Sequence, residues 1–508
     1  MIVRLCCGAL QGVDAFRVDL EVDLVRQGMP AFIMVGLAEG AVREAKERVF
    51  AALRAGGFKL PPSRITVNLA PADRKKGGSG YDLPLALGLL GAAGVVDPAR
   101  LEGWFLAGEL SLTGELKPVP GILPLAILAR SEGAKGILVP SDNAAEAAVV
   151  EGLAVYAPRT IGEAAGFLAG QVDLAPVTAN ADAAAAEVVH FLDFAEVKGQ
   201  EHAKRAIEIA AAGAHNLLFL GPPGSGKTML AQRIPTVLPP LTFDEALEVT
   251  KIYSVAGILE GGGLVSARPF RAPHHTVSEV GLAGGGLYPR PGEVSLAHRG
   301  VLFLDELPEY RKPALEVLRQ PLEDGVVTIT RSAHTLTYPA DCMLVAAMNP
   351  CPCGFSTDDR HTCTCTAVQI QRYRARLSGP LLDRIDLHVE VPAVGYEDLR
   401  TTGAGASSAD LRQRIAAARQ LQAERYAGTR CRTNADLSGS LLEKHCKLGV
   451  AEHGFLEQAV RSLALSARAY TRILRIARTI ADLEQASSLD VAHLAEAINC
   501  RVLDRERL

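Results

Sequence analysis

The run NLLFLGPPGSGKTMLAQRI at residues 216–234 constrains the fold of this chain more than any other. Its apolar residues predict a short buried strand, the segment from Gly221 to Thr228 fits the pattern GxxxxGK[ST], and the following residues open a helix. In this context a glycine loop cradles phosphates, because backbone N–H groups and a helix N-terminus both face the anion. The run therefore predicts a parallel α/β sheet that binds a nucleotide.

The loop predicts ATP and Mg²⁺ as cofactors. We expect Lys227 to reach the β- and γ-phosphates and Thr228 to ligate Mg²⁺. The residues expected to contact the nucleotide are Gly221, Pro222, Pro223, Gly224, Ser225, Gly226, Lys227, Thr228 and Met229.

A second stretch, GVLFLDELPE at 300–309, reads as a buried strand that ends in an acidic pair. We expect Asp305 to hold Mg²⁺ through its water shell and Glu306 to polarise the attacking water. The alternative, an exposed acidic pair at a strand end, is disfavoured because a complete phosphate loop lies upstream. Asn349 ends another predicted strand, CMLVAAMNP, where its amide is placed to orient the same water.

Arginines further along the chain suit the charge of a nucleotide. Arg384 follows a short predicted helix, and a guanidinium there suits charge neutralisation across a subunit boundary. A surface salt bridge is the alternative for this residue. Arg468, Arg472 and Arg475 lie on one face of a predicted helix at 466–484. We expect one of the three to reach the nucleotide, and a solvated basic face is the alternative.

Together these motifs resemble the magnesium-chelatase branch of the AAA+ superfamily, and most closely its YifB family of competence-related proteins. The stretches that carry the resemblance are FRAPHHTVSEVGLAGGG, PRPGEVSLAHRGVLFLDELPE, AAMNPCPCG and LSGPLLDRIDLHVEVP. The resemblance implies that Arg384 is the arginine finger, Asn349 the sensor-1 residue and Arg468 the sensor-2 arginine. It also implies a hexameric ring that acts on single-stranded or branched DNA and drives branch migration during natural transformation.

The resemblance covers nearly the whole chain and implies its domain organisation. The expected fold class is α/β, with a Lon-protease-like α+β domain, a P-loop AAA+ core built on a parallel sheet, and a helical lid. The expected boundaries are 1–172 for the Lon-like domain, 173–189 for a linker, 190–397 for the AAA+ core, 398–410 for a second linker and 411–508 for the lid.

The first domain also resembles Lon in the segment DRKKGGSGYDLPLA at 73–86, where Ser79 takes the place of the catalytic serine. Lon-type proteolysis requires a lysine that deprotonates this serine. Leu123 occupies the matching position, and Lys117 lies off the pattern. We therefore expect a protease-like fold without protease activity.

Two insertions in the core are candidates for contact with DNA, at 257–294 and at 325–340. The second, GVVTITRSAHTLTYPA, alternates like two strands and predicts a β-hairpin with Arg331, Ser332 and His334 at its tip. Phosphate contacts from such a tip would give sequence-independent affinity. An ordinary surface hairpin is the alternative. The formal net charge of −4 excludes a basic coat over the whole chain, so any such contact is local.

Four of the ten cysteines cluster as two C-x-C pairs in NPCPCGFSTDDRHTCTCT at 349–366. Four thiolates suit tetrahedral Zn²⁺. His361 is an alternative ligand, and four reduced thiols in a flexible loop are the alternative to a metal site. The predicted zinc ligands are Cys351, Cys353, Cys363 and Cys365. For the adjacent His274 and His275 a structural role is predicted, because neighbouring loop residues rarely share one ion.

The composition is that of an ordinary globular protein, with 48% hydrophobic and 22% charged residues. There is no run of 18 or more apolar residues and no apolar leader, which predicts a cytoplasmic protein. Alternative functions are the ATPase subunit of magnesium chelatase, an ATP-dependent protease and a protein remodeller. The Lon-like segment and the cysteine loop argue against the first, and Leu123 argues against the second.

Overall fold

The computed structural model describes residues 2–27, 29–37, 40–178, 192–261, 263–286, 289–331, 334–358, 360–395 and 405–505. A mixed sheet with its helices comes first, a parallel sheet flanked by helices follows, and the chain ends in helices. The predicted mixed α/β class, with a parallel sheet and a helical C-terminal part, is confirmed. Across these ranges no helix is long and apolar enough to span a membrane.

The N-terminal part is built on one sheet with strand order β3-β4-β2-β1-β5-β8-β9, in which β1 and β2 form a long antiparallel pair. The strands of this part of the chain are β1 (Ile2–Gln11), β2 (Asp14–Val25), β3 (Ala31–Val35), β4 (Arg64–Ala70), β5 (Trp104–Leu106), β6 (Glu109–Leu110), β7 (Leu116–Lys117), β8 (Gly136–Leu138) and β9 (Val155–Tyr156). Strands β6 and β7 pair with each other outside the main sheet. Its helices are α1 (Gly40–Ala55), α2 (Asp82–Ala93), α3 (Pro98–Leu101), α4 (Ile122–Ser131), α5 (Ala144–Ala148) and α6 (Ile161–Ala169).

Helix α2 is the centre of this N-terminal core. Almost all of its residues are buried, as expected for a helix with a continuous apolar run. Gly88 lets it lie close to the sheet, since a Cβ there would come within 2.7 Å of Val22 and 2.8 Å of Leu5. The side chains of β2 alternate between buried and partly exposed positions, as in a strand with one face on the core.

The central part is a parallel sheet with strand order β11-β14-β17-β10-β18. The strands of this part are β10 (Leu217–Leu220), β11 (Phe270–Arg271), β12 (Gly284–Gly285), β13 (Arg290–Pro291), β14 (Val301–Leu304), β15 (Val326–Arg331), β16 (His334–Pro339), β17 (Met343–Met348) and β18 (Leu387–Glu390). The central strands β10, β14 and β17 are buried along their whole length, as expected when helices cover both faces of a parallel sheet.

The helices of the central part are α7 (Glu201–Gly213), α8 (Lys227–Val237), α9 (Phe243–Ala256), α10 (Glu279–Ala283), α11 (Glu293–Leu296), α12 (Lys312–Glu316), α13 (Arg319–Asp324), α14 (Ala367–Arg374) and α15 (Gly379–Leu382). The C-terminal helices are α16 (Ser408–Arg425), α17 (Gly439–His445), α18 (Val450–Ser462), α19 (Ala467–Leu483), α20 (Val491–Asn499) and α21 (Val502–Arg505). Helices α16 and α19 pack against α7. One tie is the Gln422 amide, which donates to the carbonyl oxygen of Ala212 at 3.0 Å.

The N-terminal and central parts meet at α9. The Glu146 carboxylate accepts hydrogen bonds from the Ser254 hydroxyl and, at 2.8 Å, from the Leu123 N–H. Burial raises the pKa of Glu146, although these hydrogen bonds oppose the rise. Lys251 adds an ion pair with Asp14 at 3.0 Å. Polar groups from both parts of the chain therefore satisfy one another in this contact.

Candidate active site

The phosphate loop, residues 221–228, joins β10 to α8 at the carboxyl edge of the parallel sheet. Ligands of open α/β sheets bind at this edge. Gly224 and Gly226 have φ angles of 76° and 92°, which L side chains rarely adopt. A Cβ at Gly221 would collide with the carbonyl oxygen of Val391. The backbone path of the loop therefore requires its glycines.

Lys227 begins α8 and turns its side chain back over the loop. Its Nζ donates to the carbonyl oxygens of Gly221 and Pro222 at 2.7 and 2.8 Å, and to Oδ1 of Asn349 at 3.3 Å. Burial lowers the pKa of Lys227, while two nearby carboxylates act in the opposite direction. A lysine among the N–H groups of a helix start has the charge and the position to attract phosphate.

Thr228 and Asp305 meet at the same edge of the sheet. Thr228 is the second residue of α8, and Asp305 directly follows β14. The Thr228 hydroxyl donates to Oδ2 of Asp305 at 2.7 Å. Hydroxyl and carboxylate oxygens are the hard ligands that Mg²⁺ prefers. The two residues predicted to hold this ion are therefore in direct contact.

Glu306 lies beside this pair on a strained backbone. Its φ of 51° is in the left-handed region, which is costly for a residue other than glycine. The Glu306 N–H donates to Oδ1 of Asp305 at 2.9 Å. Its side chain is 56% exposed, and Oε2 lies 3.4 Å from Nδ1 of His275. An imidazole therefore approaches the exposed carboxylate.

Asn349 follows β17, the strand next to β10 in the sheet. Its side-chain contact is with the ammonium of Lys227, so it joins the phosphate-loop cluster. Glu306 follows Asp305 at the end of β14, the next strand of the sheet. The predicted polar residues at three adjacent strand ends are thus brought to one edge.

Two residues with contacts at this edge escaped the sequence reasoning. Gln200 donates through Nε2 to the carbonyl oxygens of Ser225 at 3.3 Å and Pro392 at 2.6 Å, which ties the phosphate loop to the residues after β18. An uncharged glutamine before a helix carries no motif, so no sequence signal was available. His275 was predicted to be structural, and no sequence signal joined it to Glu306, which lies far along the chain.

The four clustered cysteines come together in space. Sγ of Cys351 lies 3.3 Å from that of Cys353 and 3.7 Å from that of Cys363, and the latter two are 3.5 Å apart. All four sulfurs, including that of Cys365, lie within 4.8 Å of one another. Tetrahedral zinc with Zn–S bonds of about 2.3 Å places its sulfurs about 3.8 Å apart. The donor set and its spacing fit Zn²⁺.

His361, the alternative ligand, is not part of this cluster. Its Nδ1 pairs with the Asp358 carboxylate at 2.7 Å, and its ring lies 4.8 Å from that of Phe355. Backbone N–H groups of Phe355 and Thr364 lower the pKa of the Cys353 thiol, whereas burial and the neighbouring sulfurs of Cys351 and Cys353 raise the pKa values of Cys363 and Cys365. Donors aimed at a sulfur stabilise the thiolate form that binds metals.

The cysteine loop touches the phosphate loop. Cys351 is fully buried and lies two residues after Asn349. Gly354 has a φ of 89°, and a Cβ there would lie 2.5 Å from Cδ of Pro223. Arg374 also donates to the carbonyl oxygen of Pro350 at 3.4 Å. The shape of the cysteine loop therefore bears directly on the phosphate loop.

Arg384 and Arg468 line one cavity of about 740 Å³ between the central sheet and the C-terminal helices. Arg384 pairs with Glu323 and donates to the carbonyl oxygen of Pro380 at 2.6 Å. Arg468 is 65% exposed and lies 3.5 Å from Asp383. No residue of the phosphate loop is among those that line this cavity. Within one chain, both arginines therefore stand apart from the phosphate loop.

The other two arginines of the predicted basic face have structural contacts. Arg472 pairs with the buried Asp386, and Nε of Arg475 donates to the carbonyl oxygen of Leu437 at 2.6 Å. Burial raises the pKa of Asp386, but the Arg472 guanidinium and the His215 ring outweigh it, so the pKa lies well below its ordinary value. The alternative of a solvated basic face is wrong for these two residues, since Arg472 is 15% exposed and Arg475 is half-buried.

The segment predicted to resemble the Lon serine segment lies at the start of α2. Ser79 is half-buried, three residues before α2 begins. Leu123 is fully buried in α4, and its aliphatic side chain has no group that accepts a proton. Lys117 ends the short strand β7 and pairs with Glu115 at 2.9 Å. Leu123 has no basic group, and Lys117 is held in a surface ion pair. Neither residue therefore provides a free base for Ser79.

The predicted hairpin is formed by β15 and β16, which pair antiparallel with Arg331 opposite His334 in register. Its base is anchored because the buried Tyr338 donates to the carbonyl oxygen of Pro289 at 2.8 Å. Ser332 lies outside the described residues, as do the side chains of Arg331 and His334.

Comparison with protein families gives three matches along the chain. Residues 193–399 match the family described as magnesium chelatase, subunit ChlI. Residues 20–143 match the family described as subunit ChlI of Mg-chelatase, and residues 405–501 match the C-terminal part of magnesium chelatase subunit ChlI. The matches thus extend over all three structural parts.

Full-length relatives are also similar. The competence protein ComM of Haemophilus influenzae is 45% identical over 98% of this chain and 97% of that protein. The protein YifB of Escherichia coli is 43% identical over 98% of this chain and 96% of its own length. The magnesium-chelatase 67 kDa subunit of Chlorobaculum parvum is 27% identical over 31% of this chain and 23% of its own length. Identity at this level over nearly the whole length shows that the chain belongs to the ComM/YifB family of magnesium-chelatase-like proteins.

Proposed function

We propose that this chain is an ATPase and the subunit of a ring-shaped motor that acts on DNA. The observation that carries the ATPase proposal is the contact between Thr228 and Asp305 at 2.7 Å, beside Lys227 and Glu306. A hydroxyl and a carboxylate that meet at the start of a phosphate-loop helix form the Mg²⁺ ligand pair of a nucleotide hydrolase.

In this proposal the residues at the sheet edge share the work of hydrolysis. Lys227 binds the β- and γ-phosphates in place of the loop carbonyls that it contacts here. Thr228 and Asp305 hold Mg²⁺, which neutralises phosphate charge when bound. The Glu306 carboxylate orients the attacking water and Asn349 assists it. Preorganised groups of this kind act mainly by position and electrostatics.

We propose that the site is completed by a neighbouring subunit. Arg384 and Arg468 line a cavity without phosphate-loop residues, which supports a role opposite the nucleotide of the next subunit rather than their own. Arg384 would then be the arginine finger and Arg468 the sensor-2 arginine. Each such interface joins two different surfaces, and repeated interfaces of this kind form a ring when the rotation between neighbours closes. The family resemblance favours six subunits.

We propose DNA as the substrate of the motor and branch migration as its action. The relative ComM is named a competence protein, and Arg331 pairs with His334 in register at the end of the hairpin of β15 and β16. Cationic and polar groups at a hairpin tip suit contact with phosphates of any sequence. The N-terminal part, residues 1–172, would be a Lon-like domain without protease activity, since Leu123 stands where the lysine is needed.

We further propose that Cys351, Cys353, Cys363 and Cys365 bind one structural Zn²⁺. The support is the approach of all four sulfurs to within 4.8 Å. A metal there would brace the loop whose Gly354 packs on Pro223 of the phosphate loop.

The decisive experiment measures ATP hydrolysis and strand migration on branched, single-stranded and duplex DNA. A Glu306→Gln variant is the control, expected to bind ATP and to hydrolyse it at least about a hundred times more slowly. The DNA proposal fails if no DNA stimulates hydrolysis and none is rearranged, whereas the ATPase proposal survives that result. Peptide hydrolysis abolished by Ser79→Ala would instead restore the protease alternative.

A further inference from the structure

His275 is the side chain that approaches the exposed carboxylate of Glu306. Its Nδ1 lies 3.4 Å from Oε2, and the His275 and Glu306 side chains are 32% and 56% exposed. A carboxylate this exposed has several rotamers open to it. An imidazole nitrogen 3.4 Å from one carboxylate oxygen reduces that freedom.

The loop that carries His275 is tied to the segment that carries Glu306. The Tyr310 hydroxyl donates to the carbonyl oxygen of Pro273 at 2.6 Å. The Tyr310 ring also meets the His275 ring edge-on, with centroids 6.4 Å apart. Tyr310 is buried and follows Glu306 by four residues. These contacts connect the loop that carries the His275 imidazole to the segment that carries the Glu306 carboxylate.

The ring of the adjacent His274 packs against the ring of His275. The two ring centroids are 4.0 Å apart, and Nδ1 of His274 lies 3.0 Å from the Thr276 hydroxyl. The ring contacts with His274 and Tyr310, together with the hydrogen bond to the Pro273 carbonyl, thus fix the position of His275. A side chain fixed in this way can orient its neighbour at little entropic cost.

We propose that His275 is a positioning residue that orients the Glu306 carboxylate toward the attacking water. The inference rests on the proposed ATPase function, because it assigns to Glu306 the water-orienting role. His275 itself touches neither the nucleotide nor the metal ligands in this scheme. Its loss therefore lowers the rate of hydrolysis and leaves nucleotide binding intact.

The test compares His275→Ala, His275→Asn and the unmodified protein in steady-state ATP hydrolysis without DNA. Asparagine keeps a hydrogen-bonding nitrogen near the position of Nδ1, whereas alanine removes it. We expect His275→Ala to lower kcat about tenfold, equivalent to about 1.4 kcal/mol, with KM within about twofold. We expect His275→Asn to regain at least about a third of the original kcat. His453→Ala, which changes an exposed histidine in α18, is the matched control.

The outcomes separate this inference from the proposed function. If kcat of His275→Ala stays within about twofold, or if asparagine is no better than alanine, His275 does not position Glu306. A parallel rise in KM would also overturn the inference, since it would show lost binding. Binding of a fluorescent ATP analogue reports whether each variant is folded. An unmodified protein that does not hydrolyse ATP would overturn both proposals, whereas failure of the inference alone appears only in the ratio between variants.

Discussion

Arg468 and Arg472 lie one turn apart on α19, yet their replacement by alanine should affect different properties. We expect Arg472→Ala to lower the stability of the fold and Arg468→Ala to lower the rate of ATP hydrolysis. Arg472 is 15% exposed and pairs with Asp386, whose side chain is 5% exposed. Without that guanidinium, the Asp386 carboxylate keeps the Asn216 N–H at 3.0 Å and the His215 ring at 3.7 Å. Removing one partner of a buried ion pair costs about 3–5 kcal/mol. We therefore expect Arg472→Ala to destabilise the contact between the C-terminal helices and the sheet by that amount.

Arg468 has a different environment. It is 65% exposed, and its distance to Asp383 is 3.5 Å. An exposed pair of this kind contributes about 0–1 kcal/mol, so Arg468→Ala should leave stability nearly unchanged. If Arg468 acts on the nucleotide of a neighbouring subunit, its loss should lower ATP hydrolysis about 10²-fold or more, as the removal of one charge-stabilising group does.

The assay pairs urea denaturation, followed by circular dichroism, with ATP hydrolysis for each variant. Arg461→Ala is the control, since Arg461 is 78% exposed and pairs with Glu457 on its own helix. The reasoning is refuted if Arg468→Ala unfolds as early as Arg472→Ala, or if Arg472→Ala unfolds with the unmodified protein. Unchanged hydrolysis by a folded Arg468→Ala protein would remove Arg468 from the proposed site.

Three further outcomes are expected. Metal analysis of the purified protein should find about one zinc per chain. The Cys351→Ser variant should lose this zinc and hydrolyse ATP more slowly in an ATPase assay. Substoichiometric zinc in the unmodified protein would rule the site out. Mixing inactive Lys227→Ala and Arg384→Ala chains should restore up to about a quarter of the ATPase rate, because some interfaces then combine an intact loop with an intact arginine; no recovery would argue against shared sites. Because the folded pKa of Asp386 is depressed, its contribution to stability should be present above about pH 4 and fall as the pH drops further. Urea denaturation across that range should show that the free energy of unfolding falls less steeply with decreasing pH in Asp386→Asn than in the unmodified protein. The same pH dependence in both proteins would contradict the assignment.

Local pattern was enough to predict the strand, loop and helix around Lys227. Apolar runs of strand length and glycines at fixed spacing are properties of neighbouring residues, so the sequence displays them directly. The same holds for the C-x-C pairs. The long motifs also predicted the family, and relatives that match over nearly the full length confirm it.

Contacts between distant segments were not predictable in this way. The sequence did not reveal that Gln200 bridges Ser225 and Pro392, because no spacing rule joins residues that far apart. His275 was assigned a structural role, since only the fold brings its ring to Glu306. His361 was an alternative zinc ligand until its pairing with Asp358 excluded it.

The sequence by itself therefore determined that this chain carries a phosphate loop on a parallel sheet and belongs to its family. Periodicity and short motifs express backbone geometry, which is local. Only the tertiary structure decided which side chains share an environment. It brought Thr228 to Asp305 and sorted Arg468 from Arg472 by exposure. Charge, burial and distance depend on segments far apart in the chain, so these properties exist only once the chain has folded.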